Sequence, residues 1–236
     1  AINWGNDNWT LWSDFNLAKQ LWTQSIAFYM GLTKSKNPVI CFSDDKNFRK
    51  QLDSDYKSYR KKIRKPICYA ALKDWIKKTH ICVWYKGLEG DDTIGLLATG
   101  KYKNNSVIVS GDKDMRTIPA WQMCIIDDQL EKVDNKLADY NFCTQVLTGD
   151  QADGYKGCVG VGAIKASRVL LDKKDLKSLW EAVLQEYTRN KYQIDDAYHQ
   201  ARLARILREG EYNYQTNKPL LWSFEYEHYR NFRENK

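Results

Sequence analysis

The sequence predicts an α/β protein built on a doubly wound, mainly parallel sheet, and two observations support that fold class. Short β-branched or aromatic runs alternate with segments of helical periodicity, as strand–helix–strand units do. Three of these runs end in acidic residues: "NPVICFSDD" (37–45), "THICVWYKGLEGDD" (79–92) and "NSVIVSGDKD" (105–114). Parallel strands end at one edge of a sheet, where such folds bind ligands. The acids therefore fall where a ligand site is expected.

Helices are predicted between the strands and in the last third of the chain. Apolar residues recur three and four apart over residues 11–30. "PICYAALKDWIKK" (66–78) carries Pro66 in a favoured first-turn position, and "DTIGLLATG" ends at Gly100. "LKSLWEAVLQEY" and "DDAYHQARLARILREG" are typical of amphipathic helices.

Composition indicates a globular protein with a basic net charge and many acidic residues. The 236 residues are 43% hydrophobic and include nine Trp, and the net charge is +7 despite 30 acidic residues. This balance favours a polyanion binder with a separate cation site, although modest basicity is also explained by solubility alone. The six cysteines form no CxxC pair, which predicts free thiols. No apolar run approaches the roughly 18 residues of a membrane span, so we expect no membrane association.

The stretch "GLEGDDTIGLLA" (87–98) crowds three carboxylates, Glu89, Asp91 and Asp92, between a strand and a helix. One acid there is explained by helix capping. Three close carboxylates repel one another and raise one another's pKa unless a cation lies among them. From this stretch alone, capping and a metal site both remain open.

Neighbouring strand ends strengthen the metal interpretation. Asp44, Asp45, Asp112 and Asp114 should converge on the same edge as the first cluster. Oxygen-rich clusters without His suit Mg²⁺ or Mn²⁺. Asp150 and Asp153 are three residues apart, so they would share one face if that segment were helical and could extend the site.

Two further segments suggest phosphate binding. Gly157, Gly160 and Gly162 precede a helical run, which lets backbone N–H groups approach a phosphate. "YKSYRKKIRKP" (56–66) has six basic residues, two tyrosines and no acid. Its Lys and Arg residues could grip phosphates while Tyr stacks on bases, and a solvated helix face is the alternative.

Together these motifs resemble the 5′-nuclease superfamily of flap endonucleases and the 5′ domains of bacterial DNA polymerases. The chain is most similar to the short 5′-to-3′ exonucleases of lytic bacteriophages. The resemblance rests on "FSDDKNFRKQL", "YKSYRKKIRKP", "LEGDDTIGLLA", "VIVSGDKDM", "TGDQADGYKGCVGVGAIKA" and "QARLARILREGEYNY". It implies a PIN-like α/β nuclease core over residues 1–140 with a basic helical arch at about 46–66, and a helix-hairpin-helix and helical C-terminal region over 141–236.

The resemblance also implies site residues and cofactors. Two Mg²⁺ or Mn²⁺ ions are expected, and a K⁺ ion is possible at the helix-hairpin-helix. The expected metal ligands are Asp44, Glu89, Asp91, Asp92, Asp112, Asp114, Asp150 and Asp153. The expected catalytic residues are Lys57 and Arg60, and the expected DNA contacts are Arg49, Tyr56, Lys57, Arg60, Lys61, Gly157, Gly160, Gly162 and Lys165.

The implied activity is hydrolysis of phosphodiester bonds near a 5′ end, leaving a 5′-phosphate, in phage DNA replication and DNA degradation. The expected partner is DNA with a 5′ end, flap or nick, or an RNA–DNA hybrid, bound by a monomer in the host cytoplasm. A non-catalytic DNA-junction binder is the alternative. An aspartate-dependent phosphatase would leave the basic arch unexplained.

One departure from the family pattern concerns the beginning of the chain. Family members open with a strand that ends in another metal-binding Asp, whereas this chain starts at Ala1 in what resembles the following loop. Asp7 and Asp14 follow no apolar run and are poor substitutes. We therefore expect the parent protein to carry such a strand before Ala1.

Overall fold

The computed structural model describes residues 2–4, 7–9, 12–59 and 64–225, with the backbone alone at 2–4 and 7–9. The chain divides into two compact units, Ala1–Ile40 with Tyr59–Val83, and Cys41–Ser58 with Trp84–Lys236. In chain order the elements are β1 (Ile2–Trp4), β2 (Asp7–Trp9), α1 (Phe15–Thr33), β3 (Val39–Cys41), α2 (Arg49–Leu52), α3 (Tyr69–Thr79), β4 (Ile81–Val83), α4 (Gly90–Thr99), β5 (Val107–Ser110), a 3₁₀ helix (Lys113–Thr117), β6 (Trp121–Cys124), β7 (Leu130–Lys132), α5 (Asn135–Thr148), α6 (Ala163–Val169), α7 (Leu176–Arg189), α8 (Ile194–Ala204), β8 (Tyr212–Asn213) and β9 (Lys218–Pro219).

The first unit is organised around the long helix α1. Asp14 caps this helix, because its carboxylate accepts hydrogen bonds from the backbone N–H groups of Asn16 and Leu17 at 2.8 and 3.0 Å. Helix α1 packs against α3. At the end of α3, the ring of His80 lies edge-on to Trp22 and Trp75. Strands β3 and β4 are neighbours in a two-stranded sheet.

The second unit contains a three-stranded sheet beside a helical core. Strands β5 and β6 pair in parallel, and β7 adds to β6 in antiparallel orientation. Helices α5, α6, α7 and α8 surround a buried cluster that includes Phe142, Trp180 and Trp222. The two indole rings meet edge-on with centroids 4.7 Å apart. The hydroxyl of Tyr187 on α7 donates to the carbonyl of Val146 on α5 at 2.6 Å, which joins the two helices.

The predicted α/β fold class with a helical C-terminal part is confirmed, and the differences are local. Residues 121–132 form β6 and β7, where the sequence analysis placed no strand. Helix α8 ends at Ala204 although its amphipathic pattern continues, because Arg205 turns to extended backbone and pairs with Glu211. The predicted boundary between the nuclease core and the C-terminal region, at residue 140, lies inside α5, and this division into domains stays a prediction.

Two other sequence predictions concern the cysteines and the membrane. All six cysteines are free thiols, as predicted. Within the described residues, no helix is both long and apolar enough to cross a membrane.

Gly95 on α4 tests how closely the segment after α8 packs on α4 within the second unit. A Cβ added at Gly95 would lie 2.2 Å from the carbonyl oxygen of Leu207. Gly95→Ala should therefore lower the free energy of unfolding by about 1–3 kcal/mol through overpacking. Gly31→Ala on α1 is the control, because its Cβ would meet nothing within 4 Å. Denaturant titration of both variants measures the effect, and an unchanged midpoint for Gly95→Ala would contradict the docking.

Candidate active site

The acid cluster of the second unit begins at the turn that leads into α4. Glu89 is the first residue before the helix, with extended backbone, and Asp91 and Asp92 occupy the first turn. The loop after β3 supports this turn. The Ser43 hydroxyl accepts from the N–H of Gly90 at 2.9 Å, and the Asp44 carboxylate accepts from the N–H of Gly87 at 2.8 Å.

Asp92 is buried in a bidentate ion pair with Arg49. Nη1 and Nη2 of Arg49 each donate to one carboxylate oxygen at 2.7 Å, and the Asp92 side chain is fully buried. The backbone N–H groups of Glu89 and Leu207 donate to the same two oxygens at 3.2 Å. Arg49 also donates to the carbonyls of Leu203 and Arg205. This pair therefore joins α2, the α4 turn and the segment after α8.

Glu89 and Asp153 are bridged by a buried lysine. Nζ of Lys57 lies 2.8 Å from Oε1 of Glu89 and 3.2 Å from Oδ2 of Asp153. The Tyr56 hydroxyl donates to Glu89 at 2.9 Å. Lys57 has a left-handed backbone (φ 51°), and its N–H donates to the carbonyl of Asp153 at 2.8 Å. The basic segment and the 150–154 turn thus meet at these carboxylates.

Asp112 and Asp114 follow β5. Asp112 caps the 3₁₀ helix by accepting from the N–H of Asp114 at 2.9 Å, and its side chain is exposed. Asp114 is half-buried and accepts from Nε2 of Gln145 on α5 at 2.5 Å. Lys113 reaches across to Asp150, with 3.0 Å between Nζ and Oδ2. The loop after β5 therefore contacts both α5 and the turn that follows α5.

Asp150 and Asp153 lie in a tight turn rather than on a helix. The N–H groups of Ala152 and Asp153 donate to Oδ1 of Asp150 at 2.7 and 3.2 Å. Gly154 has φ 84°, and a Cβ there would lie 2.8 Å from the carbonyl of Asp55. Glycine at this position permits the close approach that brings Asp153 to the basic segment.

The electrostatics of the cluster are unbalanced. Burial, together with the negative charges of Glu89 and Asp112, raises the pKa of Asp91 to about 7. Burial and the charges of Asp112 and Asp150 raise the pKa of Asp114 to about 6. Burial also acts to raise the pKa of Glu89, but Arg49 and Lys57 bring it below its usual range. Asp91 and Asp114 therefore lie in a negative field that the nearby cations do not offset.

A hard divalent cation fits this chemistry, although the carboxylates are not gathered around one point. All the donors are oxygens, which Mg²⁺ and Mn²⁺ prefer. Burial first, and then neighbouring negative charges, raise the pKa values of Asp91 and Asp114, and a bound cation would favour their ionised forms. Within the described part of the chain, no three His, Cys, Asp or Glu side chains stand close enough together to hold a metal ion.

The structure shows contacts of three expected site residues that the sequence did not indicate. Asp92 was predicted to bind metal, but Arg49 and backbone donors occupy both of its oxygens. Arg49 and Tyr56 were predicted to contact DNA, but they are only 2% and 3% exposed and serve the acid cluster. Both expectations came from the family resemblance, which does not report burial. Arg60 and Lys61 lie outside the described residues.

The glycine-rich segment before α6 has both buried and exposed parts. Gly157 is buried with φ 62°, and its N–H donates to Oε1 of Gln200 at 2.7 Å. Gly160 and Gly162 are exposed. Lys165 is also exposed, and its ammonium lies 2.7 Å from Oε1 of Glu186.

Sequence reasoning did not identify several supporting residues. Gln145 on α5 orients Asp114, and Glu186 holds Lys165. Arg205 and Glu211 form a buried pair with 2.6 Å between Nη2 and Oε1. The only sequence signal for these contacts is helical spacing, because each contact depends on packing between distant segments.

The fold and the acidic edge define an α/β protein of the nuclease class. The family model described as "5′-3′ exonuclease, N-terminal resolvase-like domain" matches residues 17–148, more than half of the chain. The chain therefore belongs to this 5′-3′ exonuclease family, which confirms the resemblance found in the sequence.

Curated relatives and solved structures agree with this assignment. The chain is 28% identical to the exonuclease of Escherichia phage T7 over 93% of this chain and 86% of the relative. It is 27% identical to the flap endonuclease Xni of Shewanella baltica strain OS195, over 77% of this chain and 73% of the relative. The bacteriophage T5 D15 protein co-crystallised with metal ions has the same fold, with a TM-score of 0.62 and 14% identity over 78% of this chain and 81% of that one.

The raised pKa of Asp91 predicts a pH-dependent stability in the metal-free protein. Folded Asp91 keeps its proton up to about pH 7, whereas its ordinary value is 3.8. Between these values the folded state binds more protons, so stability falls as pH rises from about 4 to about 7. Asp91→Asn should remove this contribution. Melting temperatures of both proteins in chelator across this range check it, and curves that stay parallel at every pH would contradict it.

Proposed function

We propose that this chain carries the 5′-to-3′ exonuclease activity for which its family is named, hydrolysing phosphodiester bonds near 5′ ends of DNA with divalent metal ions. The observation that carries the proposal is that carboxylates from three separate loops line one pocket, in which the buried Lys57 bridges two of them. These loops precede α4, follow β5 and follow α5. Concentrated negative charge facing DNA weakens binding, so it is best explained by a catalytic cation.

The proposed metal ligands come from those loops. Asp112 is exposed and Asp91, Asp114 and Asp153 are partly exposed, so solvent reaches them as they stand. Divalent ions held there would activate water and offset charge on the leaving oxygen. The proposed ligands are Asp44, Glu89, Asp91, Asp112, Asp114, Asp150 and Asp153. Two ions of Mg²⁺ or Mn²⁺ are proposed for this set.

Lys57 is proposed as the catalytic residue that contacts the phosphate. Its ammonium is the cation nearest to Glu89 in the structure, and Tyr56 and Arg49 hold Glu89 from other directions. A lysine beside the carboxylates would offset charge on a phosphoryl group as the bond breaks. Arg60 remains a proposed catalytic residue.

DNA binding is proposed to use the segment before α6. Exposed Gly160 and Gly162 leave backbone N–H groups near the surface, and Lys165 adds a positive charge. A T5 D15 flap endonuclease variant in a complex with DNA and metal ions shares the fold at a TM-score of 0.59. We propose duplex DNA with a 5′ end, flap or nick as the substrate, acted on by a monomer. Cleavage of RNA–DNA hybrids and K⁺ at the glycine-rich segment are further parts of the proposal.

Asp112→Asn tests the metal role with little risk to folding, because Asp112 is exposed. We expect cleavage of a 5′-labelled duplex in Mg²⁺ to fall by orders of magnitude. DNA affinity should stay equal or tighten, since one repulsive charge is removed. Product release on gels and fluorescence anisotropy measure the two quantities.

Asp128→Asn is the matched control for that variant. Asp128 is an exposed acid in the β6–β7 loop with φ 54°, a conformation that Asn adopts readily. It removes the same charge and should cleave at the wild-type rate. Wild-type cleavage by Asp112→Asn would refute the ligand assignment. A wild-type protein that binds DNA junctions without any Mg²⁺-dependent cleavage would instead be a non-catalytic binder.

A further inference from the structure

We propose that Lys57 is an internal counter-ion of the acid cluster, which holds Glu89 and Asp153 in the metal-free protein and is displaced when a divalent cation binds. The inference rests on the proposed function, because it concerns the same carboxylates. It adds an exchange step in which the ammonium leaves the carboxylates as metal arrives and is then available to a DNA phosphate.

The position of Lys57 supports a counter-ion role. Its ammonium spans two carboxylates from different loops, 2.8 Å from Glu89 and 3.2 Å from Asp153, and the residue is only 6% exposed. The left-handed backbone of Lys57 is uncommon for a residue with a side chain. The hydrogen bond from its N–H to the Asp153 carbonyl fixes that conformation.

Metal binding and this ion pair exclude one another. Two cations a few ångströms apart repel strongly in a partly buried site. Glu89 and Asp153 therefore cannot pair with the Lys57 ammonium and bind a metal ion through the same oxygens at once.

Lys57 is able to leave, whereas Arg49 is not. Lysine carries a compact charge on a flexible four-carbon stem, so its ammonium can move while the backbone stays in place. Arg49 also contacts Glu89, at 3.4 Å, but Asp92 and the carbonyl of Leu203 hold its guanidinium. Arg49 therefore keeps the turn before α4 in place while the Lys57 ammonium leaves its two carboxylates.

The first experiment measures Mg²⁺ and Mn²⁺ affinity without DNA by isothermal titration calorimetry. Lys57→Met removes the competing charge and keeps a long side chain, so metal should bind about tenfold more tightly than to wild type. Lys136→Met, at an exposed position on α5, removes the same charge elsewhere and should bind metal as wild type does. Equal affinity for wild type and Lys57→Met would overturn the inference.

The second experiment uses the wild-type chain and does not depend on how a variant folds. Acetylation of lysines with an amine-reactive ester is followed by peptide mass spectrometry with and without Mg²⁺. The ammonium of Lys57 should react several-fold faster once metal has released it, while exposed Lys136 reacts at an unchanged rate. Unchanged or slower labelling of Lys57 in saturating Mg²⁺ would show that it stays on the carboxylates.

The two hypotheses fail in different ways. If wild type binds no Mg²⁺ or Mn²⁺, the proposed function fails and the inference fails with it. If wild type binds metal and Lys57 neither competes nor becomes more reactive, only the inference fails.

Discussion

The acid cluster depends on one buried interaction, the bidentate pair between Arg49 and Asp92. Both side chains are almost completely removed from solvent, at 3% and 0% exposure. Removing one partner of such a pair typically costs about 3–5 kcal/mol, because the other charge stays buried and unpaired. Here the loss of folding stability would be larger, because Arg49 also donates to the carbonyl of Leu203 and Asp92 also accepts from the N–H of Leu207. The pair therefore supports the turn at Glu89 and Asp91.

The other carboxylates of the cluster pair with lysines that differ in burial. Lys57 is buried between Glu89 and Asp153, whereas the Lys113 side chain is 77% exposed beside Asp150. Asp91 and Asp114 are left with raised pKa values. Carboxylates that lie close together without enough counter-charge favour the binding of a cation.

Much of this arrangement could be predicted from the sequence. Apolar runs that end in acids predicted β3, β4 and β5 and placed Glu89, Asp112 and their neighbours at strand ends, because strand and helix periods are local properties. Burial was not predictable, since Asp91 and Asp92 are adjacent and alike in sequence but meet different partners. The roles of Arg49 and Tyr56 depend on contacts with residues more than 30 positions away. The end of α8 also depends on a tertiary pair, Arg205 with Glu211, which overrides a continuing amphipathic pattern.

The central claim is that the carboxylates of this edge bind catalytic divalent metal and release Lys57 as they do so. The most direct measurement is an anomalous difference map from crystals of the protein soaked in Mn²⁺. The account predicts manganese peaks within coordination distance of carboxylates among Glu89, Asp91, Asp112, Asp114, Asp150 and Asp153, with the Lys57 ammonium moved away from Glu89 and Asp153. A map without manganese at these carboxylates, or with manganese bound while Lys57 still bridges Glu89 and Asp153, would contradict it.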